Sequence, residues 1–306
     1  HGGGGGGEGV GRAGAGRGGR GGGRRIEYQW GTCAAQASVV LELVDGGSAA
    51  AGGDGGRRKG ETELMLEREK DRRAQGFRSI YNNRHWSAAG GGSGLGSTLP
   101  NSEGARALIR RLAADGSLQI GSVYDAGCGS MHWMRHLLKA IDADRTERRG
   151  EAGTTMAAPI RYHGADIVSE LIEGHRTNAE FAGYVASGQW SFSVADLSVD
   201  PMPAAFDLVV CRPALFHNTI AAIARILLAF SDSGSRLLLA TTQRWDLDDQ
   251  HYKELNADTD VGTDGRSMAL GGYRPVGLER PPFSLPPPAL FEPLDEGNQN
   301  SQQQQQ

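Results

Sequence analysis

Apolar residues recur at Ala105, Leu108, Ile109 and Leu112, positions i, i+3, i+4 and i+7, with Arg106, Arg110 and Arg111 facing outward. This predicts an amphipathic helix that Asn101 or Ser102 can cap and that Gly116 ends. From Ile120 onward, short apolar runs alternate with helical stretches. The runs predict strands ending at Asp125, from Ile160 to Ala165, through WSFSVADL to Asp196, through FDLVVC to Cys211, and through RLLLATT to Thr242. The stretches between them predict helices reaching about Ile141, from Val168 to about Phe181, and roughly from Asn218 to Phe230. Strands separated in this way imply a single α/β domain, a doubly wound parallel sheet with helices on both faces and a ligand crevice at the strands' carboxyl ends. Asp125, Asp166 and Asp196 all fall at that edge.

Toward the termini the pattern fades. The chain has 306 residues and 47 glycines, which crowd the first hundred positions in runs such as GGGGGG and GRGGRGGG. Such runs bury too little apolar surface to offset backbone entropy. Residues 1–61 therefore read as a disordered Gly/Arg-rich segment, 76–292 as the folded domain, and 295–306, ending QQQQQ, as a disordered tail. The charged ETELMLEREKDRRA, 62–75, reads as a solvated lead-in helix, and FRSIYNNRHW can dock through Phe77, Ile80, Tyr81 and Trp86. DADRTERRGEAGTTMAAP, 142–159, reads as an inserted surface loop. Asp166 lies 41 residues after Asp125, or 23 without that eighteen-residue insertion. The second value fits the spacing of roughly 20 usual for a ribose-binding acid.

The densest chemistry lies in SVYDAGCGSMHWMR, Ser122 to Arg135, which reads as a buried strand, a glycine turn and a helix. That arrangement holds nucleotide-like cofactors: Asp125 sits at the strand's end, and Gly127 and Gly129 allow a tight turn beside a ligand. A single aspartate at a strand end can equally cap a helix or hold a turn. Three in order at successive strand ends point to a ligand.

These residues resemble the first motif of class I S-adenosylmethionine-dependent methyltransferases, whose sheet is Rossmann-like. The resemblance continues to a bacterial-type subgroup through IYNNRHW, SGLGSTL, DAGCGSMHWM, GADI, ADL, DLVVCRPALFH, LLATT and LGGYRPVGLERPPFSLPPPAL, in that order over about two hundred residues. It implies S-adenosylmethionine as cofactor and methyl transfer as the activity. By that resemblance Asp125 and the amides around Gly127 to Gly129 would serve the amino-acid end, Asp166 the ribose hydroxyls, and Asp196 with the Leu197 amide the adenine. Ser97 and Thr98 would close over the cofactor, and Arg212 and His217 would face the acceptor as the catalytic pair, with His217 as base. Both retain structural alternatives, a loop anchor for Arg212 and a helix cap or buried hydrogen-bonded group for His217. The sequence departs from the subgroup at Pro213 and Ser130, where the pattern has acids, at Gly127, where it has proline, and by an insertion at 246–265.

A net charge of −4 and a pI near 6.1 give no overall preference for nucleic acid or an anionic membrane. The acceptor expected is a small molecule or a glycan-like hydroxyl, methylated at oxygen. Two alternatives are an RNA acceptor tethered by the arginine and glycine run, and a fold that binds without catalysis. Cys33, Cys128 and Cys211 lack CxxC spacing, which argues against disulfides and zinc and for a reducing, cytoplasmic-type compartment. His132 and His136 are spaced like a zinc pair, but Trp133 stands where the glutamate should be, so no metal is expected. No GxSxG elbow or P-loop occurs, and no apolar run is long enough to span a bilayer. A chain opening on His1 reads as a fragment, so targeting stays open, as does oligomeric state.

Overall fold

A computed structural model of the chain describes residues 36–42, 56–86, 89–148, 158–243, 255–256, 271–288 and 290–293. The expectations for residues 1–35, the tail after 294 and the insertion from 246 to 265, apart from residues 255 and 256, lie outside these.

The elements are β1 (Gln36–Glu42), α1 (Gly56–Asn82), α2 (Glu103–Ala114), β2 (Ser122–Ala126), α3 (Met134–Arg148), β3 (Arg161–Asp166), α4 (Ser169–Thr177), α5 (Ala182–Ala186), β4 (Trp190–Val194), β5 (Leu208–Cys211), α6 (Ile220–Asp232), β6 (Leu237–Gln243) and β7 (Leu290–Pro293). They build one seven-stranded sheet in the order β4-β3-β2-β5-β6-β1-β7. The first five strands are parallel; β1 runs antiparallel to β6, and β7 antiparallel to β1. Chain order reverses between β2 and β5, a switch point where diverging connections open a crevice at the carboxyl ends.

Central strands β2 and β5 are buried along their whole length, as a strand covered on both faces must be. Edge strand β4 alternates, burying Trp190 and Phe192 and exposing Ser191. One core layer packs α2 and α3 against the sheet through Leu108, Ile109, Leu112, Leu137, Leu138 and Ile141. The other packs α6 through Ile223, Ile226 and Phe230, with Val276 and Leu278 from the C-terminal segment. Burying each such aliphatic side chain stabilises the fold by about 1.5 to 3 kcal/mol.

Several expectations are corrected. Residues 36–42, inside the segment read as unstructured, pair with β6 from Gln36 opposite Gln243 to Glu42 opposite Leu237. The start of the insertion is helical, because α3 runs on to Arg148, where Asp142 accepts from the Ile160 amide and the Gln189 side chain. The helix expected from Val168 to Phe181 breaks at Asn178, whose side chain accepts from the Glu180 amide in place of a further helical turn. Ser102 stands at the start of α2 without capping it, since its hydroxyl donates to Leu99. The lead-in at 62–75 is not wholly solvated, since Arg73 is buried, whereas Phe77 and Ile80 are buried against Val168 as the docking segment was expected to be. The C-terminal segment is laced to the end of β6, with the Leu278 amide on Thr242 Oγ1 (2.9 Å) and the Val276 amide on Gln243 Oε1 (2.8 Å).

Candidate functional site

The carboxyl ends of β2 to β5 open into a cleft of about 810 Å³, measured out to its mouth and including the solvent there. Asp125, Gly127, Gly129, Asp166, Asp196, Leu197, Ser97, Arg212 and His217 all line it. Thr98 does not line it: its hydroxyl donates to the Leu95 carbonyl at 2.9 Å and accepts from the Asn101 amide, so it is a turn residue.

Asp125 is 2% exposed, and its Oδ2 accepts from the hydroxyl of Tyr162 at 2.9 Å. Burial pushes its pKa up to about 7, opposed by the Tyr162 hydrogen bond and reinforced by Asp166. A buried carboxylate with one neutral partner favours a cationic neighbour. Asp166 accepts from the amides of Gly129 (2.9 Å) and Val168 (3.0 Å), and burial raises its pKa against those bonds. It therefore holds the glycine turn to β3 while each oxygen keeps a further lone pair.

The turn's backbone is not free in the way the sequence suggests. The amides of Gly127 and Cys128 both donate to the Ala165 carbonyl, Gly129 donates to Asp166, and Ser130 to Ser93 Oγ. The Gly129 carbonyl is taken as well, by His175 Nε2 at 2.7 Å. Gly127 has φ +83°, and a Cβ there would lie 2.9 Å from that of Ala214. Glycine is what lets the turn approach the loop after β5.

Asp196 Oδ1 accepts from the amide and hydroxyl of Ser198, an Asx turn that fixes the end of β4. Its Oδ2 lies 3.1 Å from Arg73 Nε in an ion pair, yet neither atom has a hydrogen bond of good geometry, so Oδ2 is a buried acceptor with capacity left. Arg73 Nη2 donates to Asn218 Oδ1 at 2.7 Å, and burial holds the guanidinium pKa below its usual value.

Arg212 is buried and donates to the carbonyls of Gly96 (3.0 Å) and Asn101 (2.6 Å), with its guanidinium carbon 5.8 Å from the centre of the Trp133 ring. Burial lowers its pKa to about 10. The loop-anchor alternative describes this geometry, with backbone carbonyls as the partners. His217 Nδ1 donates to the Gly272 carbonyl at 2.9 Å, which leaves the neutral ring's lone pair on Nε2. The ring stacks on Trp86 with centroids 4.4 Å apart, and burial pulls its pKa down to about 4. It is neutral at pH 7, an acceptor of hydrogen bonds more than a strong base.

Arg73, Tyr162, His175, Ser93 and Asn218 were missed. For Arg73 a cue existed: with Phe77, Ile80 and Tyr81 it follows i, i+4, i+7 and i+8 spacing, one face of a helix. Among the described residues, no group of three or more His, Cys, Asp or Glu is placed to hold a metal, and no helix is long and apolar enough to cross a membrane.

No protein-family model and no curated protein matches the chain. Among solved structures it is similar to the O-methyltransferase of a trans-AT PKS multienzyme from Brevibacillus brevis, determined with S-adenosyl-L-homocysteine, at 20% identity over 41% of this chain and 36% of that one, TM-score 0.29. It is also similar to magnesium protoporphyrin IX methyltransferase from Synechocystis with bound SAM, at 21% identity over 45% and 58%, TM-score 0.33. A third is an O-methyltransferase family protein from Burkholderia thailandensis, at 12% identity over 57% and 47%, TM-score 0.37. The chain thus spans between about a third and three fifths of the length of these structures.

Proposed function

We propose that the chain is an S-adenosylmethionine-dependent methyltransferase acting on a hydroxyl of a small-molecule or glycan-like acceptor. The observation that carries this reading is the placement of Asp125, Asp166 and Asp196 at the ends of three neighbouring parallel strands around one cleft. The residues fit the cofactor. Asp125 is a buried carboxylate suited to an ammonium, Asp166 keeps lone pairs for a diol, and Asp196 Oδ2 is a buried acceptor lacking a hydrogen bond, suited to an exocyclic amine. Gly127 and Gly129 let the turn pack closely against Ala214 and Ser93 beside the cleft, where a Cβ would clash.

When bound, the cofactor supplies a methyl group on an activated sulfonium carbon, so the chain's task is positioning more than activation. Arg212 holds the glycine loop at Gly96 and Asn101 over the cleft, which positions Ser97 at its wall. His217, neutral and with Nε2 carrying the lone pair, would accept a hydrogen bond from the acceptor hydroxyl and orient its oxygen. Pro213 and the low basicity of His217 favour a second reading, a fold that binds the cofactor without turnover.

Calorimetry of S-adenosylmethionine on the full chain tests the first step, beside Asp166→Asn, which keeps one acceptor oxygen for the turn. Micromolar binding weakened about tenfold or more in the variant supports the reading, on the scale of a lost charged hydrogen bond. A folded wild type that does not bind removes it. Labelled methyl transfer to a panel of hydroxyl acceptors then separates the two readings, because any turnover ends the non-catalytic one.

A further inference from the structure

The glycine loop at 89–97 and the first turn of the cleft are interlocked through hydroxyl groups. Ser130 Oγ donates to the Gly90 carbonyl at 2.6 Å, and Ser93 Oγ donates to Ser130 Oγ at 3.1 Å. Ser93 Oγ also accepts from the Ser130 amide at 2.9 Å. Its single proton is thereby committed, so in the 3.2 Å contact with Tyr81 the tyrosine hydroxyl is the donor. A directed chain results, from Tyr81 on α1 to Ser93, to Ser130, to the Gly90 carbonyl. Shape fits as tightly as the bonds do. A Cβ at Gly91 would lie 2.8 Å from Ser130 Oγ, and one at Gly129 would lie 2.6 Å from Ser93 Oγ. Each loop contributes a serine that sits where the other has no side chain.

Donor accounting decides what these groups do. Every N–H and O–H of Ser130, and the hydroxyl protons of Ser93 and Tyr81, are used within this cluster, leaving none for a ligand although all three residues line the cleft. We infer that Tyr81, Ser93 and Ser130 are positioning residues that latch α1 and the glycine loop onto the turn and so govern how long bound cofactor is retained. The inference rests on the cofactor reading above. It also gives the acid-to-serine departure at Ser130 a role, since a carboxylate there would have no proton to give the Gly90 carbonyl and would face it with like partial charge.

The test is the dissociation rate of S-adenosylhomocysteine from the full chain, followed by stopped-flow fluorescence of Trp86 and Trp133, both of which line the cleft. Ser93→Ala removes three bonds and is expected to speed release about tenfold or more, and Ser130→Asp similarly, with association rates within about threefold of wild type. Tyr81→Phe deletes only the outermost hydroxyl. It keeps the test alive if Ser93→Ala fails to fold, with an expected rise of about threefold. Melting temperatures run alongside distinguish a latch from a general prop, because release should accelerate in variants whose melting is nearly unchanged. If wild type binds and the variants release at the wild-type rate, or only in proportion to lost thermal stability, the latch is wrong while the cofactor reading stands. If folded wild type binds neither S-adenosylmethionine nor S-adenosylhomocysteine, the cofactor reading falls and takes the latch with it.

Discussion

Arg73 Nε stands 3.1 Å from Asp196 Oδ2 with both side chains withdrawn from solvent, so helix α1 is joined to the end of β4 by a buried ion pair. A partly exposed set of charges surrounds it: Glu69 with Arg225 at 2.9 Å and Lys70 with Asp200 at 2.6 Å. The lead-in helix is thus a wall of the cleft.

Removing one partner of that pair leaves the other buried and uncompensated. Arg73→Met should destabilise the fold by about 3 kcal/mol, and the double variant Arg73→Met with Asp196→Asn should recover much of the loss. Urea midpoints of the two single variants, the double variant and wild type complete the cycle. Additive losses would contradict coupling.

Asp125 makes stability depend on pH. Its pKa in the fold, about 7, exceeds the ordinary carboxylate value near 4, so between those values the folded chain binds more protons than the unfolded one. Stability contributed by this group is present below about pH 4 and declines as pH rises toward 7. Asp125→Asn should flatten the slope of the urea midpoint between pH 5 and 7. A ligand bearing an ammonium selects the ionised form, so its affinity for wild type should increase from pH 6 to 8 and lose that dependence in the variant.

His217 acts with the opposite sign. Its pKa falls from about 6.5 when unfolded to about 4 in the fold, so its contribution is intact above pH 6.5 and lost as pH falls toward 4. His217→Asn should reduce acid sensitivity over that window in thermal melts at pH 7, 6 and 5. On a turned-over hydroxyl acceptor the same variant should lower kcat about a hundredfold while cofactor affinity changes little.

Gly127→Ala tests the close approach of the two loops. With φ at +83° and the Ala214 methyl 2.9 Å from the new Cβ, the variant should lose about 1 to 3 kcal/mol. Gly116→Ala, where a Cβ meets nothing within 4 Å, should be close to neutral. Differential scanning calorimetry of the pair checks both.

What was legible in the sequence was local. Periodicity in Ala105 to Leu112 and the strand patterns at 122–126, 161–166, 190–194, 208–211 and 237–243 follow from hydrophobic burial acting on neighbours along the chain, and those at 122–126, 161–166 and 190–194 place three aspartates at strand ends without reference to any distant residue. The roles of those aspartates were not legible, because each carboxylate's partner comes from elsewhere: Tyr162 for Asp125, the Gly129 amide for Asp166, Arg73 for Asp196. Likewise, Arg212 reads as a charge ready for an acceptor until its guanidinium is seen on the carbonyls of Gly96 and Asn101. Charge density made residues 62–75 look solvated, yet once α1 packs on the sheet the desolvation of Arg73 is partly offset by Asp196, a pairing no one-dimensional pattern contains. Sequence alone determined the alternating strands and helices, the glycine turn and the order of the acids, since these depend on residues a few positions apart. Only the tertiary structure decided which donors remain for a ligand and which close the fold upon itself, because hydrogen bonds and ion pairs saturate and the competing partners are brought together only by folding.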